Sequence, residues 1–289
     1  MSDDTLLRGR VISNRYKLVA PIGSGAMGVV WRAEDTRLSS FVAVKLLLHH
    51  VAADPEIEAR FLREGRASAS IRGAHVVDVF DFGIDDGTPF IAMELLKGES
   101  LKACLDRENV LPEKRTIRIL SQVAKGVGRA HSRGVVHRDL KPANIFLTVD
   151  EDGETAKVLD FGLAKLTHEV STQSLVTETG AVMGTALYMS PEQARGRTDV
   201  DHRADLWALA IITYQCLTGR LPLTGRTEAD LLVKICTEPM PIPSRINPNL
   251  PKGFDEWFAC GTRRSPDDRF QSAAELAEAL RAAFTPAGL

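Results

Sequence analysis

The chain has 289 residues, 44% of them apolar, with 36 basic and 38 acidic side chains and a formal charge of −2. That length and apolar content suffice for a sizeable core in one large domain or two lobes. The balanced charge gives no ground for a polyanion-binding surface, so no nucleic-acid partner is expected.

The first hundred residues read mostly as strands. Residues 1–15 form an N-terminal extension whose start, Met1-Ser2-Asp3-Asp4, is acidic and lacks an apolar signal core. Tyr16 to Ile22, Val29 to Ala33 and Phe41 to Leu47 are β-rich and bounded by Gly or polar residues. Asp54 is a good N-cap and Pro55 suits the first helical position, which predicts a helix to about Ile71. Strands are expected again near Val76–Phe82 and Phe90–Glu94. From Gly98 onward helical periodicity dominates. Pro112 opens a helix that ends near His131, Asp205 to Leu217 is apolar enough to be buried, and Glu228–Cys236 and Ala273–Ala283 are amphipathic. This pattern predicts an α+β chain: an N-lobe over 16–94, a join at 94–98, a helical C-lobe over 99–283 and a tail at 284–289. Cys104, Cys216, Cys236 and Cys260 form no CxxC pair and read as buried thiols of a reducing compartment. No run of eighteen apolar residues occurs, so no membrane segment is expected, and the chain reads as cytoplasmic or as the cytosolic domain of a larger protein.

Gly23-Ser24-Gly25-Ala26-Met27-Gly28-Val29-Val30 matches GxGxxGxV, where glycines let backbone approach phosphates. A hairpin turn needs glycines anyway, and a dinucleotide fold uses similar spacing. Here the loop lies between two strands, whereas a dinucleotide fingerprint opens a helix. Lys45 follows fifteen residues after Val30, on the next strand. On the helix after Asp54, Ile57, Phe61, Glu64, Ser68 and Ile71 share one stripe, so Glu64 points where apolar groups point. A carboxylate there needs a cation, for which Lys45 is the candidate, or sits at the rim of the stripe in solvent.

Residues 137 to 144 read His137-Arg138-Asp139-Leu140-Lys141-Pro142-Ala143-Asn144, and Asp160-Phe161-Gly162 follows sixteen residues after Asn144. Asp139 suits acceptance of a hydroxyl proton, while Asn144 and Asp160 offer hard oxygens to Mg²⁺ or Mn²⁺. With the glycine loop, Lys45 and Glu64 in this order and spacing, the chain resembles the bacterial eukaryotic-type (Hanks-type) serine/threonine protein kinases, from about Tyr16 to about Ala283.

The resemblance implies a bilobal fold and ATP-dependent transfer to Ser/Thr hydroxyls of protein substrates. It implies that Ile22, Val30, Ala43 and Phe146 sandwich adenine, that Met93 is the gatekeeper, and that Glu94 and Leu96 offer backbone hydrogen bonds at the hinge. Lys141 would contact the transferring phosphate, His137 and Phe161 would pack the site, Glu192 would pair with Arg269, and Asp205 would fix the catalytic-loop backbone. Arg138 would bind a phosphorylated activation segment whose phosphosites are Thr177 and Thr179, and Thr185 would bond Asp139 and Lys141. Related bacterial kinases can dimerise through their N-lobes, so the resemblance admits such a homodimer. Three residues depart from the family pattern: Ala210 replaces a glycine, Ser190 an alanine, and Ser68 an apolar residue, which would weaken packing behind Glu64. A pseudokinase would lose Lys45, Asp139, Asn144 or Asp160, and none is lost.

Overall fold

The computed structural model describes residues 7–25, 28–47, 55–150, 153–161 and 186–285. The chain divides into two compact units. The first takes the chain up to Gly73, then Val77–Lys97 and the stretch that opens at Asp160. The second takes Ala74–Val76, Gly98–Leu159 and the C-terminal part.

The first unit is built on a six-stranded sheet in the order β1-β2-β3-β4-β6-β5. Its strands are β1 (Val11–Ile12), β2 (Tyr16–Gly25), β3 (Gly28–Asp35), β4 (Ser40–Leu47), β5 (Val79–Asp85) and β6 (Thr88–Glu94), all paired antiparallel. Successive side chains point to opposite faces. Trp31, Ala33, Val42, Val44, Phe90 and Ala92 pack on one face in a buried cluster that also takes in Ile12 and Tyr16. The intervening positions carry the functional candidates. Val30 pairs with Lys45, Lys45 with Ile91 and Ala43 with Met93, so these side chains share the other face.

The two-residue β1 falls in the stretch that the sequence reads as an extension. It is short: Val11 and Ile12 pair with Lys17 and Tyr16, and just before it Gly9 and Arg10 bond the backbone of Leu18. Beside it Arg15 grips Asp35, with Nη2 and Nε at 2.7 and 3.0 Å from Oδ2. Those bonds, with N–H donors from Arg37 and Leu38, outweigh burial and hold the Asp35 carboxyl below the usual carboxylate range.

Helix α1 (Pro55–Ser70) belongs to this unit. A Cβ at Gly65 would lie 2.6 Å from the ring of Phe82 on β5. Glycine inside a helix costs roughly 1 kcal/mol relative to alanine; here it allows the helix backbone to approach the aromatic. The strand expected from Val76 begins instead at Val79. Val76 is buried, but it makes a parallel bridge to Val158 in the second unit to which it belongs.

The second unit holds a three-stranded sheet, β7 (Gly98–Ser100), β8 (Ile145–Asp150) and β9 (Gly153–Val158), that the helical reading of this region passed over. Its helices are α2 (Leu101–Glu108), α3 (Glu113–His131), α4 (Pro191–Ala194), α5 (Arg203–Thr218), α6 (Glu228–Thr237), α7 (Pro243–Ile246), α8 (Lys252–Gly261) and α9 (Ala273–Ala283). α3 buries Ile119, Leu120, Val123, Val127 and Ala130 at helical spacing. α5 is buried on nearly every side, in keeping with its unbroken apolar sequence. Tyr214 of α5 stacks on Phe258 of α8 with ring centroids 4.7 Å apart. The departure at Ala210 is accommodated at this contact: its methyl faces Gly261 of α8, where a Cβ would come within 2.9 Å. Among the described residues Cys104 and Cys216 are buried, Cys236 and Cys260 half-buried, and all four are free thiols.

The α+β class expected from the sequence is the one observed: a β-rich unit with one long helix, and a helix-rich unit.

Candidate active site

In the first unit the glycine loop lies at the ends of β2 and β3. Ile22, Gly23, Ser24 and Gly25 are on β2, with Gly23 opposite Val30 and Gly25 opposite Gly28. Gly28 has φ +141°, and a Cβ there would fall 1.9 Å from the Leu46 carbonyl oxygen, so only glycine fits. Ile22 is half exposed, whereas Ala43 and Met93 are buried. Glu94 ends β6; its N–H donates to the Asp78 carbonyl at 2.9 Å and its Oε1 accepts the Asp78 N–H at 2.8 Å. Leu96 follows, outside the strand.

Lys45 is 6% exposed. A buried ammonium needs anionic oxygen, and Nζ lies 2.7 Å from Oδ2 of Asp160. Asp160 has φ +56°, in the left-handed region that costs an L-residue energy unless its surroundings hold it there. Phe161 is buried, and its carbonyl accepts the hydroxyl proton of Ser68. Glu64 is half-buried on α1, one turn before Ser68.

In the second unit the segment 137–144 is assembled by hydrogen bonds. Lys141 Nζ lies 2.9 Å from Oδ2 of Asp139. Asn144 Nδ2 donates to the Asp139 carbonyl oxygen at 2.8 Å and to Oδ2 at 3.3 Å. Pro142–Asn144 is one 3₁₀ turn, which brings residue 144 back over 139. His137 is fully buried. Its Nδ1 accepts the Asp139 N–H, so Nε2 carries the proton and donates to the Leu159 carbonyl at 2.8 Å. Phe146 lies on β8, opposite Ser100 of β7.

Behind this segment stands Asp205, 1% exposed. Oδ1 accepts the Arg138 N–H at 2.8 Å; Oδ2 accepts the His137 N–H at 2.9 Å and faces His131 Nε2 at 2.8 Å. Burial pushes the Asp205 carboxyl up, but His131 and these donors outweigh it and hold it below its ordinary range. Arg138 has φ +65°, which a bulky residue adopts only when clamped. The other half of the clamp is Gln193, whose Nε2 donates to the Arg138 carbonyl at 2.7 Å. The Arg138 side chain reaches the Val200 carbonyl at 3.1 Å. Arg269 and Glu192 meet in a buried bidentate pair.

Sequence reasoning did not single out His131 or Gln193. His131 carries no motif. Gln193 had a signal, the capping-box spacing Ser190-x-x-Gln193: its Oε1 accepts the Ser190 N–H at 3.2 Å and the Ser190 hydroxyl at 3.1 Å. The serine at 190, a departure from alanine, thereby orients the residue that holds Arg138. Thr177, Thr179 and Thr185 lie outside the described residues.

Residues 16–272 match the protein kinase domain model. The chain belongs to the protein kinase family. It is 40% identical over 278 residues to the serine/threonine-protein kinase pkn3 of Myxococcus xanthus, covering 95% of this chain and 51% of that protein. It is 37% identical over 285 residues to the serine/threonine-protein kinase PknH of Mycobacterium bovis, covering 99% and 46%. The crystal structure of the Mycobacterium tuberculosis PknI kinase domain superposes with a TM-score of 0.75 at 30% identity, covering 96% of this chain and 98% of that one. The chain thus spans about half the length of the curated relatives it matches. No helix among the described residues is long and apolar enough to cross a membrane.

Each unit carries an oxygen that suits a hard divalent cation: in the second, Asn144 has its amide nitrogen committed to Asp139, which leaves Oδ1 as the atom for a metal, and in the first Asp160 carries a carboxylate. No cluster of three or more His, Cys, Asp or Glu able to hold a metal occurs among the described residues.

Proposed function

We propose that the chain transfers the γ-phosphoryl group of ATP to serine and threonine hydroxyls of protein substrates. The observation that carries this reading is the set of bonds on Asp139, whose Oδ2 lies 2.9 Å from Lys141 Nζ and 3.3 Å from Asn144 Nδ2 on a backbone held by Asp205. Phosphoryl transfer asks little covalent chemistry of a protein; it needs positioned phosphates, charge neutralisation and an acceptor for the hydroxyl proton. Asp139 accepts that proton and orients the hydroxyl. Lys141, beside it, meets the phosphoryl group in transfer. Lys45 holds the other phosphates, and the backbone of the glycine loop, free of side chains at Gly23, Gly25 and Gly28, closes over them. Asn144 and Asp160 would hold Mg²⁺ or Mn²⁺, which supplies charge neutralisation on the phosphates when bound. Ile22, Val30, Ala43 and Met93 of the β-rich unit would meet adenine, with Glu94 and Leu96 bonding its edge, and Phe146 is the adenine contact that the helix-rich unit would supply. Glu64 steadies Lys45.

Phosphorylation of Thr177 and Thr179 by the enzyme itself raises activity, with Arg138 as the cationic partner of the new phosphate, and Thr185 helps to hold the acceptor hydroxyl beside Asp139. The chain works in the cytosol, and any homodimer forms through the β-rich unit.

The test is incubation with radiolabelled ATP and Mg²⁺ or Mn²⁺, followed by phosphoamino-acid analysis and phosphosite mapping. Label on serine and threonine is expected. Label on tyrosine alone, or none with either metal, rejects the reading.

A further inference from the structure

Hydroxyls inside helices ordinarily turn back to carbonyls of their own helix. Ser70 of α1 does so, donating to Ala67 O at 2.6 Å. Thr213, Thr218, Thr237 and Thr262 each donate to the carbonyl four residues back. Ser68 does not. Its Oγ donates to the carbonyl oxygen of Phe161, 93 residues along the chain. From the sequence, serine here is expected to loosen the packing behind Glu64; instead it makes a directed bond from α1 to the backbone beside Asp160.

We propose that Ser68 is a positioning residue for phosphoryl transfer, tying the dihedrals of the Asp160-Phe161 backbone to helix α1. This rests on the reading of Asp160 as the residue that holds the metal–nucleotide. Two tethers act on the same short stretch, both within the first unit: Lys45 Nζ at 2.7 Å on the Asp160 carboxylate, and Ser68 on the following residue's carbonyl. The stretch needs them, because Asp160 sits at φ +56°, a conformation that backbone sterics alone do not favour. Phe161 is 3% exposed, so little water competes for the carbonyl. The anchor at the other end is firm: Gly65, three residues before Ser68, is packed against Phe82 closely enough to exclude a Cβ, and Phe61 and Ile71 are buried. A serine on a fixed helix is therefore a fixed donor. An apolar residue would fill the same space but could not orient a carbonyl.

The test uses the full chain with Ser68→Ala, Ser68→Leu and Ser68→Thr. Two readouts are taken besides melting temperature: kcat and KM for ATP, and calorimetric ADP affinity with and without Mg²⁺. For Ala and Leu we expect a fall of roughly five-fold in both kcat and the magnesium-dependent gain in ADP affinity, the scale of one neutral hydrogen bond. Metal-free ADP affinity should stay put, and Thr should recover most of the loss. Ala and Leu variants that fold and keep the wild-type kcat and magnesium-dependent gain overturn the proposal. So does a uniform loss, in which metal-free ADP affinity and melting temperature fall in step, since that is what a packing role gives. Wild-type protein without any magnesium-dependent gain removes the Asp160 reading itself, and the Ser68 proposal with it.

Discussion

The guanidinium of Arg269 meets both carboxylate oxygens of Glu192, at 2.8 and 2.7 Å, in a place neither side chain shares appreciably with solvent. Arginine has five N–H donors, and here all are engaged: two on Glu192 and the others on the carbonyls of Arg263, Arg203 and Arg264. The guanidinium carbon also lies 5.0 Å from the centre of the Trp207 ring. Removing one partner of such a pair leaves a buried charge alone, which costs about 3–5 kcal/mol. Arg269→Ala is expected to lose that much in urea denaturation followed by tryptophan fluorescence. Arg269→Lys should recover little, because an ammonium cannot serve both oxygens and three carbonyls. An unchanged midpoint for the alanine variant would show the pair to be dispensable.

Acid should unfold the second unit through the same contact. Burial pushes the Glu192 carboxyl up from its ordinary 4.5, but the Arg269 bonds and charge outweigh it, so the folded group titrates lower. Asp205 is likewise held below its ordinary 3.8. A depressed carboxylate contributes its stability in full above the ordinary value and loses it as pH falls through the folded one. The contribution of these two carboxylates is therefore expected to be level from pH 7 to about 5 and to decline below about 4.5. Glu192→Gln should start lower at pH 7 and fall less steeply. Parallel acid limbs for the two proteins would contradict this.

Asp205 offers the clearest separation of architecture from chemistry. Asp205→Ala orphans the N–H groups of His137 and Arg138, each a cost of about 1–3 kcal/mol. Asp205→Asn keeps one acceptor oxygen. We expect the asparagine variant to fold and bind ATP while kcat falls, because Arg138 and then Asp139 lose register. A wild-type kcat in Asp205→Asn would mean that one acceptor oxygen together with Gln193 suffices to hold Arg138.

Direct loss of catalytic groups should look different. Asp160→Asn and Lys45→Met are expected to abolish measurable transfer with circular dichroism unchanged. Asp139→Asn should cost roughly 10²-fold or more in kcat, the scale of proton transfer by a placed base. Near-normal turnover of Asp139→Asn in a contamination-free preparation would remove its role.

The candidate site residues could be proposed from sequence because phosphoryl transfer demands particular residue types at fixed spacing along short segments, and Asp139, Lys141 and Asn144, which the structure brings into contact, lie within one such segment. What holds them was less so. His131 reaches Asp205 from 74 residues away, and nothing local to either marks the bond. The sheet β7-β8-β9 hid for the same reason: Gly98–Ser100 becomes a strand only by pairing with Phe146–Thr148. β5 was placed three residues early because Val76 and Val77 are as apolar as a strand requires, yet Val76 serves the other unit. Ser68 could be flagged as a departure, but the target of its hydroxyl is a backbone atom that no side-chain pattern announces.

The burial of Ile12 bears on how this protein should be cut for the bench. The family match opens at residue 16, and a fragment begun there looks reasonable on an alignment. It would pull a fully enclosed isoleucine out of the cluster around Trp31, a loss of about 2–5 kcal/mol even if only the side chain went. It would also take Arg15 from Asp35, which is 1% exposed and would be left without that countercharge. Such a fragment is expected to come out of cells as aggregate, whereas one that keeps the nine residues from Leu7 to Arg15 should yield a soluble kinase domain.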